Sequence, residues 1–246
     1  GIPNTYGVLT STPEKLGTDF MHANNASIAT IADDGKIVES FQSSQALTAM
    51  NYLYNLVNVD KVFYIPAQWT TKKTYYAGGM SSADIYANFT NNKVAFCVAE
   101  AWIANQIVRP TATSIQYGIL PMPKGPDASG YVSSAHYALL FAVTNNNTDV
   151  EKVVPIINAL GLPAEGYQGE DWINDAIEMD FCQPGDKDSV EMYKLCYERS
   201  YFDIGLSVQS IYEDFSEIVV MMPVFWGQST PAAQLDAFKG VAKAAL

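Results

Sequence analysis

The sequence predicts an α/β protein, on three observations. Val94–Ala99 is a short apolar run without polar alternation, the pattern of a strand covered on both faces in a parallel or mixed sheet. Tyr137–Val143 (YALLFAV) is a second strongly apolar run. Around both, strand-like and helix-like stretches follow one another, as a sheet flanked by helices requires.

The elements read as follows. Tyr6–Thr10 (YGVLT) is a short strand. Ser11-Thr12-Pro13-Glu14 starts a helix with a hydroxyl cap, a proline in the first turn and an acid, and the helix runs to about His22. Ile28–Ala32 and Lys36–Glu39 are strands about the hairpin turn Asp33-Asp34-Gly35-Lys36. Ser43 or Ser44 caps a helix with Ala46, Leu47, Met50, Leu53, Tyr54 and Val57 near one face. Residues 58–80 are less regular and hold Trp69, Tyr75 and Tyr76.

From Asp84 the pattern is helix, tight turn at Asn91-Asn92, and the strand Val94–Ala99. Glu100 and Trp102 fall just past the carboxyl end of that strand, where open α/β sheets bind ligands. Ile115–Met122 is a strand closed by prolines. Asp149–Leu160 is a helix with Val150, Val153, Val154, Ile157 and Leu160 inward, kinked by Pro155. Helices follow at 170–179 and 188–200. A long one at 210–225 is interrupted near Pro223. Thr230 caps the last helix and Pro231 begins it.

Composition narrows the function. With 246 residues the chain makes one large domain or two small ones, and 48% apolar with 16% charged residues is globular. A net charge of -12 argues against a nucleic-acid partner, because phosphate binding needs a Lys/Arg surface. Most of the 15 Tyr, 11 Phe and 4 Trp belong to the core, but exposed ones suit stacking on sugar rings. Cys97 reads as a buried free thiol, and spacing leaves open whether Cys182 and Cys196 are bonded. Two histidines are few for metal sites or triads, and no G-x-S-x-G, G-x-x-x-x-G-K-[ST] or H-E-x-x-H occurs. Asp33-Asp34 and Glu170-Asp171 sit in a turn and at a helix start, where acids solvate loops or complement helix dipoles. No catalytic residue, metal or cofactor is expected.

The run of aromatic, two residues, Asn, Lys, Val-Ala-Phe, small residues and Trp at 89–102 resembles the signature segment of the family 1 extracellular solute-binding proteins. These are the maltose-binding-like receptors of ABC importers. YGILPMPKGP, SSAHYALLFAV and NNNTDVEKVVPIINAL resemble the segments that follow it, and G-x-x-T-P before the final helix resembles the family's C-terminus.

The resemblance covers about Tyr6 to Leu246 and implies a periplasmic-binding-protein-like (class II) fold of two lobes. Residues 1–135 would form the ligand-binding second lobe, a mixed sheet flanked by helices. Residues 136–205 would hold the crossover strand and helices of the remaining first lobe, and 206–246 helices packing back on the second. Nothing resembles the opening of the first lobe, so that lobe is expected to be incomplete, with Tyr137–Val143 short of sheet neighbours.

Function follows as expectation. The ligand is a mono- or oligosaccharide, and the partners are ABC permease subunits. The location is the extracellular face or the periplasm, with a lipid anchor in the full-length parent. Trp102 is implied to stack on the sugar, and Glu100 to accept its hydroxyls. His136, in the crossover segment, faces the cleft; Tyr212 reaches it from the C-terminal helix; Trp69 is a lid aromatic. The plain alternatives are a packed Trp, a solvated carboxylate and a structural His. A polyamine, peptide or metal ligand in the same fold, a glycan-acting enzyme and an adhesin-like module remain the rival readings.

Overall fold

The computed structural model describes residues 6–64, 81–112, 114–136, 142–162, 165–166 and 171–245. β1 (Tyr6–Leu9) pairs in parallel with β4 (Val94–Cys97), Val8 opposite Phe96 and Leu9 opposite Cys97. On its other edge β1 takes the segment 62–64. The Gly7 and Val8 amides donate to the Val62 carbonyl at 3.0 and 3.1 Å, and the Tyr64 amide to the Val8 carbonyl at 2.7 Å. Parallel pairing brings the carboxyl ends of β1 and β4 out on one side, and that side carries the site.

Local signals place the elements between these strands. A 3₁₀ turn, Pro13–Lys15, leads into α1 (Leu16–Ala23), with Pro13 at the first helical position as expected. The expected hydroxyl cap is absent: Thr12 makes no side-chain capping bond, and its amide donates to Thr10 Oγ1 at 3.0 Å. β2 (Ala29–Ile31) and β3 (Ile37–Glu39) form an antiparallel hairpin. Gly35 turns it at φ +82°, a conformation that strains a residue with a Cβ. Ser43 caps α2 (Ser44–Tyr54), accepting from the Ala46 amide at 3.2 Å. α3 (Ser82–Thr90) starts with a reciprocal capping box of Ser81 and Asp84, and Asn92 at φ 59° turns it into β4.

After β4, the short helix α4 (Ala101–Ile103) runs through a π turn, Ala104–Val108, to Arg109–Thr111. β5 (Ser133–Ser134) pairs in parallel with β6 (Ser200–Tyr201). Between these lie α5 (Val150–Leu160), α6 (Asp171–Phe181) and α7 (Lys187–Glu198). Then come α8 (Gln209–Glu213), α9 (Met221–Phe225) and α10 (Pro231–Ala245). The main core joins the first half of the chain to these last helices. Phe238 of α10 meets Phe41 edge-on at 4.9 Å and Phe215 at 5.3 Å, all three buried. Among the described residues no helix is long and apolar enough to cross a membrane.

Buried polar groups tie the distant parts together. Asp203, fully buried, accepts from the Ile28 amide at 2.5 Å, the Ala29 amide at 3.2 Å and the Gly205 amide at 2.9 Å. It also takes His22 Nε2 at 3.1 Å, and His22 Nδ1 meets Ser134 Oγ at 2.7 Å. One carboxylate thus links α1, the start of β2 and the turn after β6, while its histidine partner reaches β5.

Five expectations need correction or fall outside. β4 is not covered on both faces: α3 packs on it and Val94 is buried, but no described element covers Phe96, which is 57% exposed. Residues 115–122 form no strand. Their backbone is satisfied by side chains, since Gln183 Oε1 accepts from the Tyr117 amide at 3.1 Å and Gln183 Nε2 donates to the Ile115 carbonyl at 3.0 Å. Ser189 Oγ takes the Ile119 amide at 2.8 Å, so no ladder is needed. On α5, Val153 and Ile157 are half-buried, but Val150, Val154 and Leu160 are exposed because no described element packs over them. The long helix breaks at Val219–Val220, not at Pro223. Pro223 is the third residue of α9, within the first turn, where a missing N–H costs little. Residues 137–141 of the second apolar run lie outside the described residues.

Candidate functional site

The site is built from the loops that leave β1 and β4. The Val98 amide donates to the Leu9 carbonyl at 2.9 Å, carrying the pairing one step past the strands. Tyr86 of α3 then laces the two loops. Its side chain is fully buried, and its hydroxyl donates to the Val98 carbonyl at 3.0 Å. The same oxygen accepts from the Ser11 amide and the Ser11 hydroxyl, each at 3.3 Å. Burial pushes the phenol's pKa well above its ordinary value, so it stays a neutral donor. Tyr86→Phe is expected to lower stability by about 1–2 kcal/mol, the worth of this lacing. A urea denaturation midpoint displaced at unchanged slope would show it.

Glu100 holds the N-cap position of α4, yet its side chain makes no capping bond. Its oxygens go elsewhere. Oε1 pairs with the Lys15 ammonium, and Oε2 accepts the indole N–H of Trp102. The Lys15 side chain is 6% exposed and that of Glu100 22%, while Trp102 stands 43% exposed. The cluster therefore presents an aromatic surface beside a carboxylate whose charge is already matched. The predicted pair Glu100 and Trp102 is brought into direct contact.

The other predicted residues are arranged differently. His136 donates from Nε2 to Asp19 Oδ1 at 2.9 Å, with its side chain 8% exposed and Nδ1 buried without a hydrogen-bond partner. Asp19 lies one helical turn beyond Lys15, so the His136–Asp19 hydrogen bond and the Lys15–Glu100 ion pair sit on one side of the turn that enters α1. Tyr212 is half-buried on α8, two residues before the π turn Asp214–Ile218 that packs against Pro13–Lys15. Trp69 falls outside the described residues. Lys15 and Tyr86 were not anticipated. Lys15 carries no local signal, because it lies six residues past β1 in the turn that enters α1, and only the parallel pairing of β1 with β4 brings it to Glu100.

Cys97, Cys182 and Cys196 are free, which answers the open pairing. Burial pushes the Cys97 thiol up to about 12 and Cys182 up to about 11, so neither is a thiolate nucleophile at neutral pH. Among the described residues no group of three or more His, Cys, Asp or Glu side chains is arranged to hold a metal ion. An open groove of about 860 Å³ lies elsewhere, between residues 114–118 and 183–186, and includes none of the predicted site residues.

No protein-family model matches the chain, and no curated protein matches it. Solved structures do. A cyclo/maltodextrin-binding protein complexed with maltotetraose superposes with a TM-score of 0.61 at 14% identity, over 98% of this chain and 59% of that one. The maltose-binding periplasmic protein of Listeria monocytogenes, in complex with maltose, gives 0.65 at 12%, over 99% and 61%. The maltose-maltodextrin binding protein of the thermoacidophilic bacterium Alicyclobacillus acidocaldarius gives 0.61 at 10%, over 98% and 62%. The fold is thus periplasmic-binding-protein-like, and the chain spans about 60% of the length of these structures.

Proposed function

We propose that this chain contributes the second lobe and C-terminal helices of the substrate-binding component of an ABC importer. Its ligand is a mono- or oligosaccharide, captured between two lobes and delivered to a membrane permease on the extracellular or periplasmic side. The observation that carries this reading is Trp102. An indole 43% exposed, with its N–H held by Glu100, stands where two parallel strands end. That is a surface for the apolar face of a sugar ring. A polyamine fits less well, because the carboxylate beside Trp102 is already matched by Lys15. The structural relatives named above are binding proteins by description, in keeping with a role without turnover. His136 and Tyr212 belong to the rim of the same cleft in this reading.

Calorimetric titration of the protein against maltose, maltotriose, glucose and spermidine tests it. Saturable heat with at least one sugar and none with spermidine is expected. Binding of spermidine alone would overturn the sugar assignment.

A further inference from the structure

We infer that Lys15 is the positioning residue of the Trp102 platform: its ammonium fixes Glu100, and Glu100 holds the indole edge. The inference rests on the sugar-binding reading for its consequence, though not for its geometry.

The geometry begins at the root of Lys15. Its amide donates to the Thr12 carbonyl at 3.1 Å, and its carbonyl accepts the hydroxyl of buried Thr18 at 2.8 Å. Pro13 restricts the backbone two residues earlier. The stem is therefore anchored before the side chain leaves the turn. A buried ammonium is tolerated only when paired and hydrogen-bonded, and the carboxylate of Glu100 supplies that pairing.

Glu100 then acts as a divided group. One oxygen is taken by Lys15 and the other by Trp102. A carboxylate engaged at both ends does not swing without losing a charge-assisted bond. The indole projects from the first turn of a three-residue helix and is 43% exposed, so local packing alone leaves it room to rotate. What restrains its edge is the Glu100 oxygen, and what restrains Glu100 is Lys15. A ligand that stacks on a held ring does not have to order it first. Lys15 also cancels the charge of Glu100, which keeps the platform suited to a neutral ligand.

The test pairs a ligand-free readout with an affinity. Lys15→Met is expected to lower the fluorescence anisotropy of the indole without any sugar present. The same change in a Trp102→Phe background should have no effect, which assigns the signal to this ring. Affinity for the sugar that the unmodified protein binds should fall about tenfold, in line with the loss of one hydrogen bond to a charged group. Lys15→Arg should restore both, because a guanidinium also pairs with a carboxylate. If Lys15→Met does not fold, Glu100→Gln, at a more exposed position, is expected to loosen the ring in the same way. Unchanged anisotropy in the folded Lys15→Met protein, or in Glu100→Gln, would overturn the inference. Should the unmodified protein bind no sugar, the proposed function fails, while the anisotropy still decides the role of Lys15.

Discussion

Asp203→Ala is expected to cost about 3–5 kcal/mol of stability, the largest effect of any single change considered for this protein. The carboxylate is fully buried and accepts from three amides and one imidazole. Alanine removes every one of these acceptors. The amides of Ile28 and Ala29 lie in the interior, where each orphaned donor costs about 1–3 kcal/mol. The Gly205 amide loses the cap of the 3₁₀ turn Ile204–Ser207, worth about 1 kcal/mol. His22 loses the partner of Nε2 while buried itself. Partial relaxation keeps the sum below simple addition. Urea denaturation measures the change. Asp203→Asn should fall between, since its amide oxygen accepts from one side while its amino group faces donors on the other. A loss below about 1 kcal/mol for the alanine variant would mean that water replaces the carboxylate.

Asp203 also shows what was hidden from the sequence. It stands in SYFDIGLS, which carries no strong pattern, and its partners come from residues 175 and 181 positions away. By contrast most caps and turns are legible because their chemistry is local, the exception being Thr12, which makes no capping bond. Gly35 in the hairpin, Ser43 before α2, Asn92 before β4 and Thr230-Pro231 before α10 all act on neighbours within a few residues. Residues 115–122 look like the strand Val94–Cys97 in composition, yet they stay outside any ladder. The difference lies in Gln183 and Ser189, whose side chains take backbone groups 66 to 70 positions earlier. Proline is the stronger local breaker, so the pattern points to Pro223, but the interruption falls at Val219–Val220 because a proline in a first turn breaks nothing. The candidate site divides the same way. Glu100 and Trp102 are two residues apart and were found together. Lys15, 85 positions from Glu100, appears only once parallel pairing sets the two strand ends side by side.

Trp102→Ala is expected to weaken sugar binding by at least about 30-fold, the usual consequence of truncating an aromatic anchor worth about 2 kcal/mol or more. The expectation separates two roles that Trp102 combines. If the ring acts by stacking, Trp102→Phe keeps a flat apolar face and should lose no more than the about tenfold expected from releasing the Glu100 restraint, short of the loss with alanine. If it acts through Glu100, phenylalanine removes the indole N–H that Glu100 accepts, and should lose nearly as much. Stacking is the expected outcome, because the N–H is directed at the protein and the exposed surface of the residue is left for ligand. Stability serves as the internal control. A side chain 43% exposed still buries more than half of its surface, so truncation to alanine should lower the thermal midpoint as well, and the affinity is compared at a temperature where the variant is fully folded. Equal loss of stability and affinity would assign Trp102 to the packing of its own lobe. Retention of sugar affinity within about threefold, well under the effect of a lost anchor, would remove it from the binding surface altogether.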